Sequence, residues 1–137
     1  VLFKRAQMNG LLPKKNELTA RYTFGGQYKI LKSNLDFTII NQDGVVGFFD
    51  AKSYENDHFT YSDIDQQQIQ RAAEYNQWKV PSGFIVLFRS VNKICFFSGW
   101  ELKFAGPRTR FDQTMGIYLG RLENFNMKLL FKKDLDI

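Results

Sequence analysis

Leu35-Asp36-Phe37-Thr38-Ile39-Ile40, then Asn41-Gln42-Asp43-Gly44, then Val45-Val46-Gly47-Phe48-Phe49-Asp50-Ala51-Lys52: this stretch decides how the chain folds. Two apolar runs flank an Asp-Gly step, which is a strong hairpin signal. The first run predicts a strand over Leu35 to Ile40. The second predicts its antiparallel return over Val45 to Lys52. Both are apolar on both faces, as strands in the middle of a sheet are.

The same stretch carries chemistry. Residues two apart on a strand share a face, so Asp50 and Lys52 point one way and Ala51 the other. With three or four residues in the loop, Asp36 falls opposite Asp50 or one position away. Directly opposed side chains lie about 5 Å apart at Cβ. Two carboxylates that close repel unless a positive group stands between them. A hard divalent cation such as Mg²⁺ suits oxygen ligands and keeps several waters, and Mn²⁺ is the natural substitute. The metal ligands read from this pattern are Asp36, Asp50 and the Ala51 backbone carbonyl. Lys52 then stands beside a bound water, placed to position it or to stabilise phosphate charge. Charges at strand ends are usually just solvated. Here Asp50 and Lys52 close the run Val45, Val46, Phe48 and Phe49, at the edge of the core.

Outward from the hairpin the order is helix, strands, helix, strands. Leu2 to Asn9 reads as the end of a helix that Gly10 closes, and Pro13 keeps it from resuming. Lys14 to Lys32 is basic and aromatic, with strand pieces around Gly25-Gly26. Ser53 to Thr60 reads as a polar loop. Asp63 or Asp65 caps a helix that runs to about Trp78. Pro81-Ser82-Gly83 breaks it. Strands follow over Phe84 to Arg89 and Ile94 to Phe97, with a turn at Asn92. Beyond Gly106 the signal is weak, with short strands or turns around Ile117 to Leu119 and Met127 to Phe131. The expected fold class is α/β, one mixed central sheet flanked by helices.

A length of 137 residues suits one domain with its own core, spanning 1–137. With 44% hydrophobic residues and 14 Phe it is a folded chain, not a disordered one. No apolar run approaches 18 residues, so no membrane partner is expected, and no signal peptide is evident. The single Cys95 has no partner for an internal disulfide, which fits a reducing compartment, cytoplasmic or nucleoid-associated. A net charge of +5 leans toward a polyanionic partner. The basic residues nearest the hairpin are Lys14, Lys15, Arg21, Lys29 and Lys32, interleaved with Tyr22, Phe24 and Tyr28. They suit phosphate contacts and base stacking; solvated lysines beside core aromatics are the equal alternative.

Asp36, a hairpin and Asp50-Ala51-Lys52 resemble the signature of the PD-(D/E)XK nuclease superfamily. The pattern is most similar to the RecU-type Holliday junction resolvases. Lys32-Ser33-Asn34-Leu35-Asp36 matches their Lys-Ser-x-x-Asp stretch, and Asp50-Ala51-Lys52 their acidic-Ala-Lys strand end. Gln67-Gln68-Ile69 matches a His-Gln-Ile step at the start of a helix. Gly83 to Phe88 is compatible with the strand that follows. The similarity is patchy and runs over roughly Ala6 to Leu102. It implies a restriction-endonuclease-like core and a Mg²⁺-dependent, structure-selective endonuclease that acts on branched or four-way-junction DNA in recombination and repair, usually as a homodimer. By this resemblance Asp36 and Asp50 are metal ligands, Lys52 is the catalytic lysine and Gln68 assists from the helix. The family also uses an acid on an N-terminal helix, and Val1 to Gly10 holds none. The expectation is that this helix and its acid begin upstream of Val1. The segment between Pro13 and Asp36 is also shorter than the projection the family inserts into a junction.

Other residues carry less. Gln66-Gln67-Gln68 alone would read as a polar helix face. His58, the single histidine, reads as a solvated loop residue, and Cys95 as a small buried hydrophobe. Arg108 and Arg110 are second-rank candidates for phosphate contact. Two other functions stay open: a related VRR-NUC-like or phage nuclease acting on flap or nicked DNA, and a DNA-binding relative without activity.

Overall fold

The structure is a computed structural model that describes residues 2–15 and 35–131 in full, and the backbone alone of 19–22 and 28–31. The helix α1 (Leu2–Met8) ends at Gly10, whose φ of +73° closes it as expected. Strand β1 (Leu12–Lys15) follows, then a separate hairpin of β2 (Thr19–Tyr22) and β3 (Tyr28–Leu31). Next come β4 (Phe37–Ile40), β5 (Val46–Tyr54) and β6 (His58–Thr60). A 3₁₀ turn (Tyr61–Asp63) leads into α2 (Gln66–Gln77). Strands β7 (Ser82–Phe88) and β8 (Lys93–Ser98), helix α3 (Gly99–Ala105), β9 (Arg110–Asp112) and β10 (Ile117–Gly120) complete the order, with a 3₁₀ helix at Met127–Phe131.

The central sheet has six strands in the order β1-β4-β5-β7-β8-β10. Pairing is antiparallel throughout except between β5 and β7, which run parallel. Parallel neighbours need a crossover, and α2 lies in it. Pro13 sits on β1, at the edge of the sheet, where a missing amide does least harm. Besides the β2–β3 hairpin, a further two-stranded sheet joins β6 to β9.

Alternation along β7 builds a core on each face of the sheet. Phe84, Val86 and Phe88 go to one side with Phe59, Ile69, Ala72, Phe97 and Leu102. Ile85 goes to the other side with Ala6, Ile39, Phe49, Phe96 and Met127. Helices α2 and α3 cover the first face. Gly99 lets them touch there: a Cβ on it would stand 2.4 Å from the Ala72 carbonyl carbon. Asn76 ties the same corner, donating from Nδ2 to the carbonyls of Val80 and Ser82 and accepting from the Trp100 amide. Truncating a fully buried phenylalanine such as Phe49 would cost about 3–5 kcal/mol.

Several expectations need correction. The first hairpin strand begins at Phe37, with Leu35 and Asp36 in a bend before it. The hairpin loop is as expected: the Asn41 amide donates to the Val45 carbonyl at 2.9 Å, one step past Ile40↔Val46, so Gln42 to Gly44 turn the chain. The expected polar loop from Ser53 to Thr60 is two strand pieces, since β5 runs on to Tyr54 beside β7 and His58 to Thr60 pair with β9. Met127 to Phe131 forms a 3₁₀ helix. The helix α3 was not anticipated. Ser82 and Gly83, expected within a break, already belong to β7, where Ser82 pairs with Phe48 and Gly83 with Phe49. The bounds of α2 hold: Asp65 caps it by accepting from the Gln67 amide, and Trp78 ends it.

Candidate active site

The β4–β5 register sets Phe37 against Phe49, so one step further along Asp36 meets Asp50. At that step the ladder passes to a side chain, and the Asp36 amide donates to Asp50 Oδ1 at 3.2 Å. Lys52 Nζ lies 2.9 Å from Asp50 Oδ2. Both oxygens of Asp50 are therefore engaged, one by an amide and one by an ammonium. Asp50 is 1% exposed, one of two buried polar or charged side chains among the described residues. Asp36 is exposed and Lys52 is half-buried.

Burial sets the electrostatics of the site. Desolvation pushes the Asp50 carboxyl up from its ordinary value, Lys52 pulls it back by hydrogen bond and charge, and nearby Asp36 pushes it up again. A buried carboxylate with one lysine and a second carboxylate for neighbours is a place where added positive charge is welcome.

Position along β5 decides what else faces Asp50. Phe48, Asp50, Lys52 and Tyr54 alternate onto one face. Phe48 stacks on Tyr75 of α2 with ring centroids 4.3 Å apart, so this is the face that α2 covers. The buried Ser82 hydroxyl donates to the Phe48 carbonyl at 2.6 Å and fixes β7 to β5 beside the site. Tyr54 escaped the reading of the sequence. Its hydroxyl donates to the Asp63 carbonyl at 3.4 Å. Burial first, then the charges of Asp63 and Asp50, push its phenol up to about 12. The available signal was the period of two, which continues from Phe48 through Tyr54.

Gln68 lies on the first turns of α2, half-buried, on this same side of the sheet. Its Oε1 is buried with no hydrogen-bond partner. A buried acceptor left unsatisfied costs about 1–3 kcal/mol, and such a cost is commonly carried where a ligand completes the site. Among the described residues, no group of three or more His, Cys, Asp or Glu side chains is assembled around a metal position. The donors that the register brings together are the carboxyl oxygens of Asp36 and Asp50, on the strand that carries the Ala51 carbonyl. That set fits a hard divalent cation that keeps waters, not zinc.

The expected DNA-binding residues divide. Lys14 and Lys15 are exposed on β1. Arg21 and Lys29 are register partners in the β2–β3 hairpin. The chain leaves β1 at Lys15, opposite Phe37, so the hairpin springs from the end of the sheet that holds Asp36. The side chains of Arg21 and Lys29, and all of Lys32, lie outside the described residues. Arg110 sits 3.2 Å from His58 Nδ1 and 3.9 Å from Asp57. His58 is thus a half-buried residue of β6 within a surface cluster, rather than a solvated loop histidine. Cys95 is buried, its thiol pushed up to about 11 by desolvation and hydrogen-bonded to the Gln113 carbonyl, which leaves it no nucleophile. No helix among the described residues is long and apolar enough to cross a membrane.

No protein-family model matches the chain, and no curated protein matches it. A solved structure does. Hjc of Archaeoglobus fulgidus, a Holliday junction resolvase from an archaeal hyperthermophile, superposes with a TM-score of 0.56. The match is 9% identical in sequence and covers 82% of this chain and 84% of that one. The fold of this chain, a mixed sheet of six strands flanked by helices, is therefore similar to that of the Hjc resolvase.

Proposed function

We propose that this chain is a Mg²⁺-dependent, structure-selective DNA endonuclease that resolves branched DNA in recombination and repair, as a Holliday junction resolvase does. The observation that carries the reading is the buried Asp50 carboxylate, held between the Asp36 amide and the Lys52 ammonium at the end of a strand. It stands in a fold similar to that of Hjc. The resemblance of Asp36, Asp50-Ala51-Lys52 and Gln68 to the PD-(D/E)XK pattern adds to it.

A divalent cation, when bound, supplies Lewis-acid stabilisation and an acidified water. Asp36, Asp50 and the Ala51 carbonyl would hold it, with Gln68 assisting from α2; Mn²⁺ would serve as well. The protein's own groups do the rest. Lys52 presents its ammonium at the edge of the burial, where a phosphate oxygen gains negative charge in the transition state. Asp50 fixes that ammonium by a 2.9 Å contact, so little reorganisation is needed when DNA arrives. Lys14, Lys15, Arg21, Lys29 and Lys32 would take the backbone phosphates on either side. A homodimer would present two such sites to the two strands that must be cut.

A second reading has its own support. Two acidic side chains at the site, without a third among the described residues, suit a DNA-binding relative that does not cleave. A cleavage assay with Mg²⁺ on four-way, flap, nicked and linear duplex DNA separates the readings. Incision concentrated on four-way junctions supports the resolvase. Preference for flaps or nicks points to the related nucleases. Tight binding to all with no incision points to the inactive module.

A further inference from the structure

Four residues past Asp50 on the same face of β5, about 13 Å along the strand, Tyr54 meets the 3₁₀ turn through its hydrogen bond to the Asp63 carbonyl. Between that turn and α2 lies a groove of about 430 Å³, lined by Tyr61, Gln66, Gln67, Gln70, Arg71 and Glu74. We infer that this groove holds one unpaired nucleotide of a branched DNA, its base against the Tyr61 ring and its edge read by the glutamine amides. The inference rests on the nuclease reading for its substrate class and adds a subsite to it.

The chemistry of the lining argues for a base rather than a phosphate. Glu74 accepts from Gln70 Nε2 at 3.4 Å and lies 3.6 Å from Arg71 Nη1. The groove's carboxylate and its guanidinium thus offset each other, and a phosphate would gain little there. The positive end of α2 is already taken by Asp65, which caps the Gln67 amide. What remains is a tyrosine and the amides of Gln66 and Gln67, with Gln70 at the wall already donating to Glu74. An amide pairs a donor with an acceptor, which matches the edge of a nucleobase. An aromatic ring stacks on any base face. Ligand pockets of about 300–1,000 Å³ are the usual range, so one nucleotide is a suitable occupant.

The Tyr61 amide donates to the Thr109 carbonyl at 3.2 Å, which ties the turn carrying that ring to the segment before β9.

The test is binding in EDTA, where cleavage plays no part. The probes are a splayed-arm duplex with 2-aminopurine at its first unpaired position and a blunt duplex of the same length. Gln66→Ala with Gln70→Ala alters exposed side chains only. Tyr61→Leu keeps the bulk that packs on the core and removes the ring. The wild type should favour the splayed probe and quench its fluorescence by stacking. The glutamine pair should lower that preference roughly five- to tenfold with blunt-duplex affinity unchanged, and Tyr61→Leu should abolish the quench. Equal wild-type affinity for both probes overturns the groove, as does an unaltered preference in the glutamine variant. If that happens while junctions are still cut, the groove fails and the nuclease stands. If the preference follows the groove but no DNA is ever cut, the groove stands and the nuclease fails.

Discussion

The Asp36 amide donates to Asp50 Oδ1 at 3.2 Å, one residue beyond the point where the β4–β5 backbone ladder stops. There the carboxylate takes the place of a strand neighbour; it is 1% exposed on the face that α2 covers and depends on Lys52 for its countercharge. The site is thus assembled at a cost to stability, as functional sites commonly are.

That cost gives a pH signature. Burial raises the Asp50 carboxyl above its usual 3.8, so the folded chain holds this proton to higher pH than the unfolded one. The group's contribution to stability is full below about 3.8 and is lost as pH rises through the folded value. Asn cannot ionise, so Asp50→Asn should melt higher than wild type at neutral pH. The difference in Tm should shrink toward zero as pH falls to about 4. Thermal melts of both proteins from pH 4 to 8 check this. A variant that melts lower at every pH would contradict it.

Lys52→Ala removes the ammonium that pulls the Asp50 carboxyl down, so that carboxyl should rise further and take up a proton instead of unfolding the chain. Cleavage should fall by about 10²–10³, the usual loss for one electrostatic group at a reacting phosphate. Circular dichroism should show the fold retained. A near-wild-type rate would reassign the lysine.

Register separates two adjacent lysines. Lys14 pairs with Thr38, and Thr38 with Phe48, which places Lys14 on the face of Asp50 and Lys52. Lys15 pairs with Phe37 and falls on the opposite face. Lys14→Ala should therefore weaken DNA binding by about 1 kcal/mol and flatten the salt dependence by about one unit, while Lys15→Ala does less. Lys29→Ala with Lys32→Ala should flatten the salt dependence by up to about two units. Identical salt titrations for the two single variants would put the DNA elsewhere.

A homodimer is expected at tens of micromolar. Trp100 and Phe104 on α3 are 44% and 75% exposed, and Trp78 at the end of α2 is 79% exposed, more aromatic surface than a lone domain usually leaves in water. Light scattering with and without DNA reads the mass directly. A monomer under both conditions rules the dimer out.

The hairpin was legible because its signals are local. Asp43-Gly44 turns the chain, the flanking runs are apolar on both faces, and two-residue spacing alone puts Asp50 and Lys52 together. How deeply Asp50 is buried was not legible, because that depends on α2 and β7 closing over it from later in the chain. The pairing of β6 with β9 joins residues some fifty positions apart, and three residues cannot announce it. Helix α3 was hidden for another reason. Its Trp100 and Phe104 face outward, so no apolar stripe marks a buried side, and only the capping pair Ser98 and Glu101 signals its start.

The most direct measurement is single-turnover cleavage of a four-way junction by wild type and Asp50→Asn, with Mg²⁺ and with EDTA, beside a binding titration of each. The account predicts incision only by the wild type and only with the metal, with Asp50→Asn binding the junction as tightly or more tightly. Cleavage by Asp50→Asn at the wild-type rate, or by the wild type without any divalent metal, would contradict it.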